Sequence, residues 1–319
     1  MNQPALARDL LAREMLALIA QAREGARRVA ASEAPGDGDA GAHDAEAVHD
    51  FRVSLRRLRT LLGVARAVWG KKRLARFRDE LRCYAQATGV LRDEEVLVET
   101  LGGLDLPEGA RGAVDAWLAR RAPEARARRA EAVVLLREGP GREVKAGAHK
   151  RRVRLLDRSL ERLAERLGSG KARERDAGEV GRRAIAKTAR DVLSLAASEP
   201  EDVAAMHALR IRFKRMRYTA ELFAELLGAE VAELAKHAAK MQKRLGELHD
   251  LDEAIGRIGA ASSLEEGARE ATVAALRAAR AAVAGKARGD LERLDPVLRA
   301  ALALGDRDDE EGGDSQVGE

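Results

Sequence analysis

Two segments of the chain carry the same pattern of basic residues at helical spacing, and this repeat constrains the fold more than any other feature. The first segment reads VHDFRVSLRRLRTLL from Val48, and the second reads MHALRIRFKRMRYTA from Met206. At about 100° per residue, positions three, seven and ten after a histidine share one face of a helix. We call these two faces the stripes: the first is His49, Arg52, Arg56 and Arg59, and the second is His207, Arg210, Lys214 and Arg217.

The opposite face of each segment is apolar, which predicts that both stripe helices are buried on one side. The apolar positions are Phe51, Leu55, Leu58 and Leu62 in the first segment and Leu209, Phe213, Met216 and Ala220 in the second. Residues 51–78 contain ten Lys or Arg and no acid, and residues 203–220 also contain no acid. Because like charges at helical spacing repel one another, both stripes predict a strongly anionic partner.

Composition favours an all-α fold and a basic protein body. Ala, Leu, Arg and Glu dominate, aromatics make up only 3%, and no run of alternating β-branched residues predicts a sheet. The segment 306–319 holds seven acids and one Arg, a net charge of −6, so the formal charge of the remainder is +11 rather than +5. We predict that 306–319 is a disordered acidic tail and that the basic remainder binds a polyanion.

Several observations indicate a soluble cytoplasmic protein. Cys83 is the only cysteine, so no intramolecular disulfide can form, and we interpret it as an ordinary helix residue. The N-terminal stretch carries charges within its apolar part and does not resemble a signal peptide. No apolar run approaches the roughly 20 residues needed to span a bilayer.

The periodicity predicts a series of helices in two similar halves. In the first half we predict helices over about 5–31, 45–68, 72–88, 110–137 and 143–167, with a short helix from Asp93 and linkers at 35–44 and 168–178. In the second half we predict helices over about 179–197 and 201–227, a helix that ends at Leu245 before a break at Gly246, and two or three more to about Leu304.

A second repeated motif follows each stripe. TGVLRDEEV from Thr88 matches LGELHDLDE from Leu245, at an offset of 157 residues against 158 for the stripes. The paired acids are Asp93 with Asp250 and Glu95 with Asp252. A metal or catalytic role is conceivable for them, but we interpret them as structural: they follow a glycine, where acids cap a helix start, or they hold a nearby arginine in place.

Further basic residues are candidates for an extended anion-binding surface. Lys145, His149 and Arg152 would share one face of the predicted helix 143–167. The other candidates are Arg57, Arg183, Lys187 and Lys240. The sequence has no phosphate-binding loop, nucleophile elbow or dinucleotide loop, and neither a metal site nor a cofactor is predicted.

The stripe chemistry suits phosphate, although nucleic acid stays an alternative ligand. The planar arginine fork donates two parallel hydrogen bonds to phosphate oxygens, and histidine adds a donor or a charge. A bound polyanion should raise the pKa of His49 and His207 and tighten binding at mildly acidic pH. The scarcity of aromatics argues against stacking on single strands of nucleic acid.

The segments HDFRVSLRRLR and HALRIRFKRMR, followed by GVLRDEEV and GELHDLDE, resemble the CHAD domain, the conserved histidine α-helical domain. The resemblance covers nearly all of residues 5–304. It implies one all-α domain over 1–305, with pseudo-repeats at about 5–168 and 176–304. These repeats would form two four-helix-bundle-like halves related by pseudo-twofold symmetry around a central basic groove or pore.

The resemblance also implies a function. It predicts a binding module rather than an enzyme, which binds inorganic polyphosphate and associates with polyphosphate granules in the cytoplasm. The family's basic positions fall on all eight stripe residues.

Overall fold

A computed structural model describes residues 5–31, 45–141, 143–146, 149–169 and 171–305. Within these residues it contains eleven α-helices and two short strands. The all-α prediction is confirmed, with a single β-hairpin as the exception. The acidic segment 306–319 and the whole of the predicted linker 35–44 lie outside the described residues.

The helices follow the predicted order, with two corrections described below. Their bounds are α1 Ala7–Ala31, α2 Ala45–Val64, α3 Arg66–Trp69, α4 Lys71–Ala87, α5 Gly89–Gly102, α6 Glu108–Glu138, α7 Leu156–Gly168, α8 Ala177–Ala196, α9 Val203–Leu227, α10 Ala229–Gly259 and α11 Glu266–Ala303. The strands are β1 Glu143–Ala146 and β2 His149–Arg152. The two or three helices expected near the C-terminal end are the single 38-residue helix α11.

The chain divides into two units that do not coincide with the predicted repeats. Unit 1 comprises Met1–Glu94 and Pro123–Val180, and unit 2 comprises Glu95–Ala122 and Gly181–Glu319. Residues 95–122 belong to unit 2 because Leu101 and Trp117 join Ile258 and Leu276 in one buried apolar cluster. The extent of the domain as 1–305 stays a prediction.

In unit 1 the first stripe helix, α2, packs against α1 and α4. Phe51, Leu55, Leu58 and Leu62 have no exposed surface, so the apolar face lies where the spacing predicts. Gly25 lets α1 approach α2 closely, because a Cβ atom there would lie 3.0 Å from Cα of Phe51. The burial of this face fixes the direction of the first stripe.

In unit 2 the second stripe helix, α9, packs against α10, which also contacts α11. Its four predicted apolar residues are at most 1% exposed. Asp202 caps the start of α9, since its carboxylate accepts a hydrogen bond of 2.9 Å from the Ala205 amide. Gly228 ends α9 with φ of 90°, and Gly70, 158 residues earlier, has φ of 81°. Glycine tolerates this conformation, so both repeats turn the chain in the same way before the next helix.

The helix predicted over 143–167 is wrong for the described residues before Leu156. Glu143–Ala146 and His149–Arg152 form an antiparallel hairpin, and α7 begins only at Leu156. Gly139, Pro140 and Gly141 follow α6, and Gly147 interrupts the next run of residues. These breakers leave no uninterrupted stretch long enough for a helix before Leu156.

The helix break predicted at Gly246 is also wrong, because α10 continues through it. The corresponding run in the first repeat is divided at Thr88 into α4 and α5. There, 19 residues separate Gly70 from Gly89, against 18 between Gly228 and Gly246. One additional residue rotates a helix by about 100°. The break at the buried Thr88 accommodates this rotation, and the Thr88 hydroxyl donates to the Tyr84 carbonyl at 3.0 Å.

Candidate functional site

The first stripe lies on the side of α2 that faces away from its buried apolar residues. His49 is exposed, and Arg52, Arg56 and Arg59 are partly exposed. Arg52 is fixed by a hydrogen bond of 2.6 Å from Nη1 to the carbonyl of Ala85. One acidic residue interrupts the basic sequence, but the Asp50 carboxylate accepts a hydrogen bond of 2.7 Å from Arg28 on α1. The stripe therefore presents several donors from one rigid helix.

The second stripe has the same design on α9, with one difference. His207, Arg210, Lys214 and Arg217 are all partly buried. Arg217 Nε donates to Glu221 at 2.6 Å, one helical turn later, and this pairing satisfies part of its charge. The first stripe has no acid at the corresponding position, which Gly63 occupies. Arg59 and Arg217 are therefore not equivalent.

Each stripe histidine meets a residue of a neighbouring helix that sequence reasoning did not include in the site. His207 Nδ1 lies 3.2 Å from Nδ1 of His249 on α10. In unit 1, Arg92 on α5 is close enough to lower the pKa of His49. His249 and Arg92 occupy the same position of the repeated G-x-x-[RH]-D motif. Both repeats have a basic residue at this motif position, and this recurrence could have identified Arg92 and His249 from the sequence.

All three of these histidines favour the neutral form in the free protein. Neighbouring protein atoms displace part of the water around the exposed ring of His49 and lower its pKa, and the charges of Arg92 and Arg56 lower it further against the opposing effects of Asp50 and Glu46. Burial followed by Arg210 and Lys214 lowers the pKa of His207. The same causes, with His207 itself, lower the pKa of His249 to about 4. An anion near any of these rings would oppose the shift.

The motif glycines allow the stripe arginines to lie against the next helix. A Cβ atom at Gly89 would lie 3.3 Å from Nη1 of Arg52. A Cβ atom at Gly246 would lie 3.9 Å from Nε of Arg210. The approach is tight only at Gly89, whereas a side chain at Gly246 would make ordinary van der Waals contact.

The two glycines give a matched pair of stability predictions. Gly246→Ala should raise the free energy of unfolding by about 0.5–1 kcal/mol, because it lies inside α10 and the added methyl group makes only ordinary contact. Gly89→Ala should gain less or lose stability, since the methyl group presses on a guanidinium held by Ala85. Urea denaturation of both variants measures this difference. A larger gain for Gly89→Ala than for Gly246→Ala would contradict the assigned contacts.

The motif acids do not cap helix starts in unit 2, because α10 has no break there. Asp252 instead forms an ion pair with Arg280 of α11, and both side chains are at most 14% exposed. Arg280 also donates to the carbonyl of Pro200 at 3.0 Å. The alternative interpretation, that an acid holds an arginine in place, fits this pair. In unit 1, Asp93 is exposed.

The additional basic candidates do not share one role. Lys187 pairs with Asp191 at 2.8 Å, and Lys240 pairs with the buried Asp290 at 3.0 Å. Arg183 is exposed and Arg57 is partly exposed.

The three candidates from the predicted helix 143–167 lie on the hairpin instead, so their helical face does not exist. Arg152 is exposed on β2, whereas the side chains of Lys145 and His149 lie outside the described part of the structure.

No group of three or more His, Cys, Asp or Glu side chains in the described ranges is placed to hold a metal ion. None of the described helices combines the length and the apolar character required to cross a membrane.

Comparison with known proteins identifies relatives of the sequence and of the fold. The family model of the CHAD domain matches residues 21–259. Two curated proteins of Mycobacterium tuberculosis, named "Uncharacterized protein MT2285" (strain CDC 1551) and "Uncharacterized protein Rv2226" (strain H37Rv), are 33% identical to the chain over 216 residues. These matches cover 64% of this chain but only 38% of the length of each relative.

Two solved structures share the fold at low sequence identity. The crystal structure of the CHAD domain from the plant Ricinus communis superposes with a TM-score of 0.65 at 22% identity, covering 94% of both chains. PptA from Streptomyces chartreusis superposes with a TM-score of 0.58 at 17% identity, covering 95% of this chain and all of that one. The family model spans both stripes and both G-x-x-[RH]-D motifs, and from this match we conclude that the chain belongs to the CHAD domain family.

Proposed function

We propose that this CHAD domain binds inorganic polyphosphate through its two stripes, without an enzymatic step. The observation that carries the proposal is the recurrence of the stripe. Two separate helices, each buried on the opposite face, hold a histidine and three basic residues at matched spacing. Clustered like charge is unfavourable in the free protein, so a bound polyanion would offset the repulsion within each stripe.

The side chains of the stripes suit bridging and terminal phosphate oxygens. Arginine offers parallel donors that match two oxygens, and lysine acts as a point charge. The stripe positions hold only histidine, arginine and lysine, with no nucleophile or carboxylate among them. This composition supports binding rather than catalysis. The bound phosphate competes with Glu221 for the guanidinium of Arg217, and this competition weakens the contribution of Arg217 to binding.

Two parts of the proposal go beyond the stripes. The central groove that the family resemblance implies stays a prediction. Association with polyphosphate granules in the cytoplasm would follow from binding, because the granule surface presents the same polymer.

The alternative ligand is nucleic acid, and competition discriminates between the two. Polyphosphate places charges closer together than a nucleic acid backbone does, and it needs no base contacts. We expect long-chain polyphosphate to displace duplex DNA and single-stranded RNA from the protein at equal phosphate concentration. Displacement of bound polyphosphate by either nucleic acid at that concentration would show that the stripes serve nucleic acid instead.

A further inference from the structure

The two stripe sites differ at one position contributed by a neighbouring helix. Arg92 occupies this position in unit 1, and His249 occupies it in unit 2. Arginine keeps its charge at any physiological pH, whereas histidine does not. The sites therefore match in spacing but not in their response to protons.

The geometry of the histidine pair limits its protonation. Nδ1 of His207 and Nδ1 of His249 are 3.2 Å apart, with ring centroids 4.7 Å apart. A hydrogen bond at this distance requires one Nδ1 to donate and the other to accept. A second proton on the accepting Nδ1 would bring two N–H groups face to face and break the hydrogen bond.

The charged groups around the pair favour the same neutral state. On α9, Arg210 and Lys214 oppose positive charge on either ring. On α10, Glu253 favours positive charge on His207, but burial and the two cations outweigh it. On α11, Arg280 lies beside this segment, because its guanidinium binds Asp252. The pair is therefore uncharged in the free protein at neutral pH.

We propose that His249 and Arg92 are ligand residues of the two stripe sites, and that the His207–His249 pair takes up a proton when the second site binds phosphate. This inference rests on the proposed function. Phosphate oxygens accept the additional N–H and supply the opposing charge, so the proton and the anion bind together. The equivalent position of the first site is already charged by Arg92. The second stripe has two histidines at its site against one in the first, so it is the more proton-dependent of the two, and its affinity rises as pH falls.

Calorimetric titration with long-chain polyphosphate tests this inference, because buffers of different ionisation enthalpy reveal how many protons are taken up. At about pH 6, we expect the double variant His207→Gln with His249→Gln to take up about one proton fewer than the wild type, because either ring of the pair can carry the proton. His249→Arg should lose the same proton and bind about tenfold more tightly than the wild type at about pH 8, since it copies Arg92. The first variant is uncharged and the second is charged, so a folding defect in one does not decide the result.

His237→Gln is the matched control, because it removes another partly exposed histidine of α10 outside the stripe sites. It should take up as many protons as the wild type. If both His249 variants bind polyphosphate with wild-type proton uptake, the inference is wrong and the proposed function stands. If the wild type binds no polyphosphate at any pH, the proposed function is wrong and the inference falls with it.

Discussion

Reversing one charge in each stripe should reduce affinity for polyphosphate by about 100-fold or more, because a hydrogen bond to a charged group contributes about 1.5–3 kcal/mol. The best variant combines Arg56→Glu with Lys214→Glu, which occupy matching positions of the two repeats. Both side chains are partly exposed. Fluorescence anisotropy with labelled long-chain polyphosphate measures the loss, and circular dichroism checks that the helices are intact.

The structure guides this choice of residues. Arg52 binds the Ala85 carbonyl and lies against Gly89, so its reversal would also disturb the contact between α2 and α4. A matched control reverses exposed cations elsewhere, Lys72→Glu in unit 1 with Lys286→Glu in unit 2. This variant has the same net charge, so it isolates the stripes from the overall field of the protein. Equal affinities of the two double variants would show that total charge, and not the stripes, drives binding.

Replacing Glu80 by glutamine should lower the stability of unit 1 by about 3 kcal/mol at pH 7, because a buried ion pair is broken from one side. The Glu80 side chain is fully buried and contacts Arg76 at 2.8 Å and Arg154 at 2.9 Å. It also accepts a hydrogen bond of 2.7 Å from Ser159. The network ties α4 to the segment after the hairpin and to α7. Its two arginines, about a quarter exposed, are left without this partner in the variant.

The pH dependence of this loss has a definite sign. Burial alone would raise the pKa of Glu80, but hydrogen bonds from Arg154, Ser159 and Arg76 outweigh it and lower the pKa. A carboxyl whose pKa is lowered by folding stabilises the protein above its ordinary pKa, and this contribution disappears as pH falls through the folded value. The difference between wild type and variant should therefore be largest at neutral pH and shrink below about pH 4.

Urea denaturation followed by Trp69 fluorescence reports on unit 1. The chain has two tryptophans, so a Trp117→Phe background leaves the buried Trp69 as the only probe. Glu161→Gln is the control: it lies on α7 in an exposed pair with Arg158 and should cost less than about 1 kcal/mol. A loss for Glu80→Gln no larger than this control would contradict the structural role of the network.

The spacing of apolar residues predicted the stripe helices, because burying one face of a helix produces that spacing directly. Every apolar position named on α2 and α9 is buried, and both helices have close to their predicted ends. The first part of the helix predicted over 143–167 is absent because basic and apolar residues at helical spacing do not overcome flanking glycine and proline. The break predicted at Gly246 is absent because a glycine inside a helix costs only about 1 kcal/mol of stability. The packing of α10 outweighs this cost.

The contacts between helices could not be predicted from the sequence. The spacing of the second motif showed where Gly89 and Gly246 recur, but not that each glycine faces a stripe arginine. In the same way, the pairing of His207 with His249 depends on the packing of α9 against α10. Repeats thus identified which positions matter, and tertiary structure identified what they contact.

The central claim is tested most directly by titrating the wild-type protein with long-chain polyphosphate, duplex DNA and single-stranded RNA side by side, between about 50 and 200 mM salt. The account predicts saturable binding that is tightest for polyphosphate at each salt concentration. The logarithm of its affinity should fall linearly with the logarithm of salt concentration, because binding releases counterions. Absence of saturable polyphosphate binding at the lowest salt, or tighter binding of either nucleic acid throughout, would contradict the account.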